Sequence, residues 1–235
     1  MKVYQTKVYQ IICKVFILKE IPAQNAQNEA CKIIDSCLAK DEKWLDFHKS
    51  NKYKNYCFNS LYPISKDKIY KSNQVYTFII RTVDLDLARY LQKMLPNEFN
   101  DTIKCLTTEM KIIPKKFIEK IYSISPVIIK NEKGYWRDNL SLKDFEKRII
   151  ENLIKKYNSI NNTKIDENFE FYTTLEFKNK KPCSMNIKNI KLLGDKISLN
   201  ISDNEIAQEL AYMALGVGIL ECNSRGAGFV NFRWL

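Results

Sequence analysis

An α+β fold built from two consecutive β-α-β-β-α-β units is predicted for this chain of 235 residues. Three observations predict it. Short β-branched runs alternate with stretches of helical periodicity. The order of elements repeats after about 115 residues, close to the size of a small domain. Proline or a capping residue marks many of the element ends.

In the first unit, Val8–Leu18 is rich in β-branched and apolar residues and is expected as a strand. Ala23–Phe47 places Ala26, Ala30, Ile33, Ile34, Cys37, Leu38, Trp44 and Leu45 at three-to-four spacing, which predicts an amphipathic helix or a broken pair. Tyr56–Tyr62 and Val75–Val83 are expected strands, joined by a basic, turn-prone stretch from Pro63 to Asn73. Asp84–Leu95 is a second helix stopped by Pro96, and Ile103–Ile113 a strand ended by Pro114. The second unit repeats this order. Tyr122–Lys130 is an expected strand containing Ser125-Pro126, and Ser141–Tyr157 a helix with Ser141 as N-cap and Asp144 in its first turn. Phe169–Lys178 and Met185–Ile201 are strand-rich, the latter turning near Gly194-Asp195. Asp203 is the expected cap of a helix to about Leu215, and Phe229–Trp234 is the final strand. The β-α-β-β-α-β order is the ferredoxin-like one. The expected domains are therefore 1–120 and 121–235, with the boundary near Lys115–Ser125 and the two units packed together.

Charge narrows the partner. Lys and Arg total 38 against 27 Asp and Glu, a net +11, which favours a polyanion such as nucleic acid or an anionic membrane surface. Only six of the basic residues are Arg, and an AT-rich genome also raises Lys, so distribution matters more than the sum. Two segments concentrate it. Lys43–Ser72 holds seven Lys and two Asp, interleaved with Trp44, Tyr53, Tyr56, Phe58, Tyr62 and Tyr70; Lys178–Lys196 holds six Lys and one Asp. Lysines contact phosphates and exposed aromatics stack on unpaired bases. The competing explanation is a solvated lysine face over core aromatics.

The longest apolar run, Met213–Leu220, has eight residues, well short of the ~18 of a membrane span. Lys14 interrupts Ile11–Leu18 and no clean cleavage site follows, so no signal peptide is expected. Seven scattered cysteines without a CxxC pair and one histidine, His48, argue against a Cys/His zinc site. Reduced thiols in a cytoplasmic protein without membrane or metal partner are expected.

Four of the six glycines fall between Gly216 and Gly228, as two G-x-G pairs flanking a polar loop with Arg225. Glycine lets backbone N–H groups approach an anion and adopt positive φ. Here a helix precedes the loop and a strand follows, the reverse of a dinucleotide fingerprint. A plain glycine-rich hairpin is the competing explanation.

The tandem layout ending in helix, G-x-G, polar loop, G-x-G-F and strand resembles the CRISPR repeat-processing endoribonucleases, within the wider group of repeat-associated RNA-binding proteins. The resemblance rests on Gly216–Phe229, on Ser125-Pro126-Val127 and on Tyr56-Cys57-Phe58-Asn59-Ser60-Leu61 following His48, and covers essentially the full chain. It implies metal-independent cleavage of CRISPR repeat RNA in precursor transcripts, releasing guide RNAs, with the glycine-rich loop helping to position RNA. His48 fits this chemistry, because an imidazole of reference pKa ~6.5 exchanges protons near neutral pH. The 2′-OH of RNA supplies the nucleophile, so 2′,3′-cyclic phosphate and 5′-OH ends are expected. Lys52 and Lys54 are candidates for the phosphate charge. Candidate RNA contacts are Lys49, Tyr53, Tyr56, Gly216, Gly218, Asn223, Ser224, Arg225, Gly226 and Gly228.

Many members of the family pair the histidine with a first-helix tyrosine and a lysine, whereas Ala23–Phe47 contains no tyrosine. Tyr53 or Tyr56 substitutes, or Lys32 does, or His48 works with lysines alone. Besides repeat RNA, the candidate partners are CRISPR effector subunits and a second copy of the chain. The alternative function is that of a non-catalytic RNA-binding subunit of a CRISPR effector complex.

Overall fold

A computed structural model describes residues 6–187 and 190–235. The chain begins with β1 (Val8–Ile17), followed by the two-residue β2 (Ile21–Pro22), α1 (Ala23–Leu38), α2 (Glu42–Lys49), β3 (Tyr56–Phe58), the two-residue β4 (Ile69–Tyr70), β5 (Val75–Thr82), α3 (Leu85–Met94) and β6 (Ile103–Ile113). It continues with β7 (Ile118–Ser123), α4 (Leu142–Asn161), β8 (Tyr172–Phe177), β9 (Cys183–Ile187), β10 (Ile190–Gly194), β11 (Ile197–Ile201), α5 (Glu205–Val217) and β12 (Val230–Trp234).

The strands form two four-stranded sheets, in the orders β3-β5-β1-β6 and β12-β7-β11-β8. Every pairing within them is antiparallel. Counted within each half, both orders are 4-1-3-2 reversed or direct, the arrangement of a ferredoxin-like unit, so the fold is α+β with two ferredoxin-like halves. Strand β1 alternates buried Ile11, Cys13, Val15 and Ile17 against α1 and α3, whose apolar stripes close the first core. The second core lies between β7, β11, α4 and α5.

Local signals explain most element ends. The periodic stretch Ala23–Phe47 forms the broken pair, parting at Ala39–Asp41, where the Asp41 carboxylate accepts from Trp44 N–H and starts α2. Ser141 and Asp144 make a reciprocal capping box at α4. Helix α3 is capped by Asp84, whose carboxylate accepts from Asp86 and Leu87 N–H. Three expectations shift. The cap of α5 is Asn204, accepting from Ala207 N–H, and not Asp203. The strand expected over Tyr122–Lys130 lies at Ile118–Ser123, because Pro126 has no N–H to donate to a ladder. The strand expected over Tyr56–Tyr62 ends at Phe58, with Tyr62 kept only as an isolated bridge to Thr77.

Helix α5 is buried from Glu209 to Val217 and packs on β7, β11 and β12 of one sheet and on β1, β3 and β5 of the other. Gly216 sits where this helix comes closest to the first sheet: a Cβ there would lie 2.8 Å from Val83 Cγ1. The buried Arg81 spans the same seam, donating to Gln10 Oε1 (2.8 Å), Val230 O (2.7 Å) and Asn231 Oδ1 (2.9 Å) and lying over the Phe229 ring. These contacts place the end of α2 beside the loop that follows α5. Among the described residues, no helix is long and apolar enough to cross a membrane.

Candidate active site

His48 occupies the last turn of α2, and its imidazole is 22% exposed. Its Nδ1 lies 3.7 Å from the Asp35 carboxylate on α1. The other Asp35 oxygen is ion-paired with Arg225, from the short 3₁₀ turn Asn223–Arg225 in the glycine-rich loop. Arg225 also approaches Cys31 Sγ at 3.0 Å. Cys31 and Asp35 are one helical turn apart on α1, so both side chains face the loop. Beneath them the Tyr56 ring is fully buried, and burial, then the Asp35 and Cys31 charges, push its phenol pKa up. Burial likewise pushes the Cys31 thiol up to about 11. Residues from both halves therefore meet at His48.

Lys54 borders the same cluster. Its ammonium donates to Phe47 O and to Ser50 O (2.6 Å), closing the C-terminal end of α2. Burial, and then the nearby Arg225 charge, lower its pKa. Lys49 at the end of α2 and Lys52 and Tyr53 just beyond it stand exposed. The aromatics of the first basic segment divide: Trp44, Tyr56, Phe58 and Tyr70 are core residues, while Tyr53 and Tyr62 are exposed. Burial removes Tyr56 as a stacking platform for a base. In the second basic segment Lys178, Lys180, Lys181 and Lys191 are exposed, and Lys188 lies outside the described residues.

The glycine-rich loop is organised around a buried cation that the sequence did not single out. Lys156 on α4 reaches in and donates to Gly218 O (3.0 Å), Leu220 O (2.8 Å) and Asn223 Oδ1 (2.7 Å). Burial lowers its pKa to about 7. The Asn223 amide in turn donates to Ile219 O and Ala227 O, each at 3.0 Å, so its side chain is spent inside the loop. The amides of Gly218, Gly226 and Gly228 donate to Ala214 O, Asn223 O and Pro126 O, and Gly216 lies within α5. The structure thus corrects the expectation that glycine N–H groups and Asn223 cradle an anion: they hold the loop in shape. Glu221, Cys222, Ser224 and Arg225 are the loop residues left partly exposed.

Two glycines should respond differently to substitution. A Cβ on Gly228 (φ +63) would lie 2.0 Å from Ile219 O, and one on Gly226 (φ +90) would lie 1.6 Å from Gln27 Nε2. A backbone carbonyl cannot yield, whereas a glutamine side chain can. Both alanines carry the left-handed penalty of about 1–2 kcal/mol. Gly228→Ala should therefore lower the melting temperature more than Gly226→Ala. Thermal melts decide it, and equal losses would contradict this packing.

Residues 108–232, just over half of the chain, match the family described as CRISPR associated protein Cas6, C-terminal. No curated protein sequence matches. Solved structures share the fold at low identity. One described as "CRISPR associated protein Cas6" is 21% identical, with a TM-score of 0.70 over 96% of this chain and 99% of that one. One described as "An RAMP protein binding different RNA substrates" is 20% identical, with a TM-score of 0.72 over 96% and 99%. A Cas6-related protein from Pyrococcus furiosus is 18% identical, with a TM-score of 0.70 over 96% and 98%. With the family's model matching more than half of the chain and the fold shared end to end, the chain belongs to the CRISPR-associated Cas6 family.

Proposed function

We propose that this chain is a metal-independent endoribonuclease of the cytoplasm, which cuts CRISPR repeat RNA in precursor transcripts to release guide RNAs. The observation that carries this reading is the meeting of the chain's one histidine with Arg225 of the glycine-rich loop across Asp35. His48 takes the proton of the 2′-OH, which attacks the adjacent phosphate. Arg225 and Lys52 offset the charge that develops on the phosphoryl oxygens. Lys54, whose pKa is lowered by burial, supplies a proton to the departing 5′-oxygen. The products carry a 2′,3′-cyclic phosphate and a 5′-OH. Exposed Lys49 and Tyr53 and the partly exposed Ser224 are proposed RNA contacts bordering this centre. In this reading residues 1–120 supply the proton chemistry and residues 121–235 the loop that completes it.

One observation favours a second reading, that of a non-catalytic RNA-binding subunit of an effector complex. Arg225, the cation that meets Asp35 opposite His48, is already neutralised by that carboxylate. A single-turnover assay on labelled repeat RNA in EDTA separates the two. The first reading expects one cut, a cyclic phosphate end and no cleavage of RNA bearing a 2′-deoxy residue at the cut site. Binding without cleavage supports the second.

A further inference from the structure

We propose that Asp35 is a positioning residue that fixes the tautomer of His48, an inference that rests on the endonuclease reading above. Neutral imidazole carries one N–H, and its place is set by the partner of the other nitrogen. The partner facing Nδ1 is a carboxylate, which when ionised only accepts hydrogen bonds. That favours the Nδ1–H form and leaves the Nε2 lone pair to take the 2′-OH proton. In water the preference is reversed, so the unassisted histidine would offer the wrong nitrogen.

The separation of 3.7 Å is longer than a hydrogen bond. Such contacts are commonly long before substrate binds and tighten in the complex. Arg225 determines which carboxylate oxygen is available. It is a donor only and occupies one Asp35 oxygen, so the other is left for His48. The Cys31 thiol on the same helix and the Tyr56 phenol of β3 also lie around the carboxylate.

The test exploits His48 being the chain's single histidine. Nitrogen-15 spectra of the histidine-labelled full chain report its tautomer without RNA or activity. They are recorded at pH ~8.5, about two units above the reference histidine value of ~6.5. Wild type is expected to show Nδ1–H. In Asp35→Asn the amide oxygen turns to Arg225, which has nothing to accept with, and the NH₂ faces Nδ1. The expected result is a switch to Nε2–H. Single-turnover cleavage of repeat RNA by Asp35→Asn should fall by about 10²-fold or more, as for a triad carboxylate replaced by its amide. RNA affinity should hold within about threefold, because binding is spread over many cations. Asp35→Glu keeps an acceptor and should retain the wild-type tautomer and part of the rate. Wild type in the Nε2–H form, or the same tautomer in wild type and Asp35→Asn, overturns the proposal. Wild type in the Nδ1–H form, switched by Asp35→Asn but unable to cut repeat RNA, supports the positioning and overturns the endonuclease reading instead.

Discussion

His48→Ala is expected to cut repeat RNA about 10²–10⁴-fold more slowly than wild type while binding it with nearly unchanged affinity. The asymmetry follows from how the two tasks are distributed. Phosphate binding is shared among many lysines, and one imidazole adds little to it. Proton abstraction from the 2′-OH cannot be shared as widely. The chain has no second histidine, and a lysine of reference pKa ~10.4 is mostly protonated near neutral pH. Lys54 is held against the carbonyls at the end of α2 and does not replace the base. Single-turnover rates and filter-binding curves on the same RNA check both halves of the expectation. Equal rates would remove His48 from the chemistry, and a parallel loss of affinity would make it a binding residue.

Lys156→Met should destabilise the protein by about 3 kcal/mol, since it leaves three buried acceptors without a donor at about 1–3 kcal/mol each, with partial relaxation. For a chain of this size the melting temperature should drop by about 6–12 °C. The wild-type lysine also carries a pH dependence of definite sign. Its folded pKa is lowered to about 7, against ~10.4 in the unfolded chain. Between these values the unfolded state holds the proton more tightly, so stability from this group rises as pH climbs from 7 towards 10. The gap between wild type and Lys156→Met should widen over that interval in denaturant melts. A gap that stays constant would mean that the buried group remains charged throughout. Because Lys156 holds the carbonyls of Gly218 and Leu220, the variant should also loosen the Arg225 turn.

The fold was legible because its signals are local. The break between α1 and α2 is written in Asp41, and the start of α4 in Ser141 and Asp144. Where two caps compete within one residue, as with Asp203 and Asn204, sequence cannot choose, because the choice depends on where β11 releases the chain. The site was legible only in part. His48, Arg225 and Lys54 stand out by type or by motif. Asp35 and Cys31 do not, since a carboxylate on an amphipathic helix is ordinarily solvated. Their significance comes from a partner 190 residues away. The one available hint is that Cys31 and Asp35 are four apart on a helix whose neighbouring Ile33, Ile34, Cys37 and Leu38 are buried. Lys156 escaped for a related reason: it follows Lys155 on a helix rich in charge, and only the fold shows that it alone turns inward.

The contact between Asp35 and Arg225 has a temporal consequence. During synthesis α1 and α2 emerge early, and until residue 225 is made the Asp35 carboxylate lacks the cation that occupies one of its oxygens. Helix α5, which brings the loop to the first sheet, also arrives late in the chain. Domains tend to fold in order as they leave the ribosome, the N-terminal one first. A nascent chain therefore carries His48 on a structured helix before the site around it is complete. Under the proposed endonuclease function, docking of the second half would switch on chemistry on RNA, so the ribosome's own RNA meets an unfinished site for most of the time the chain is tethered beside it.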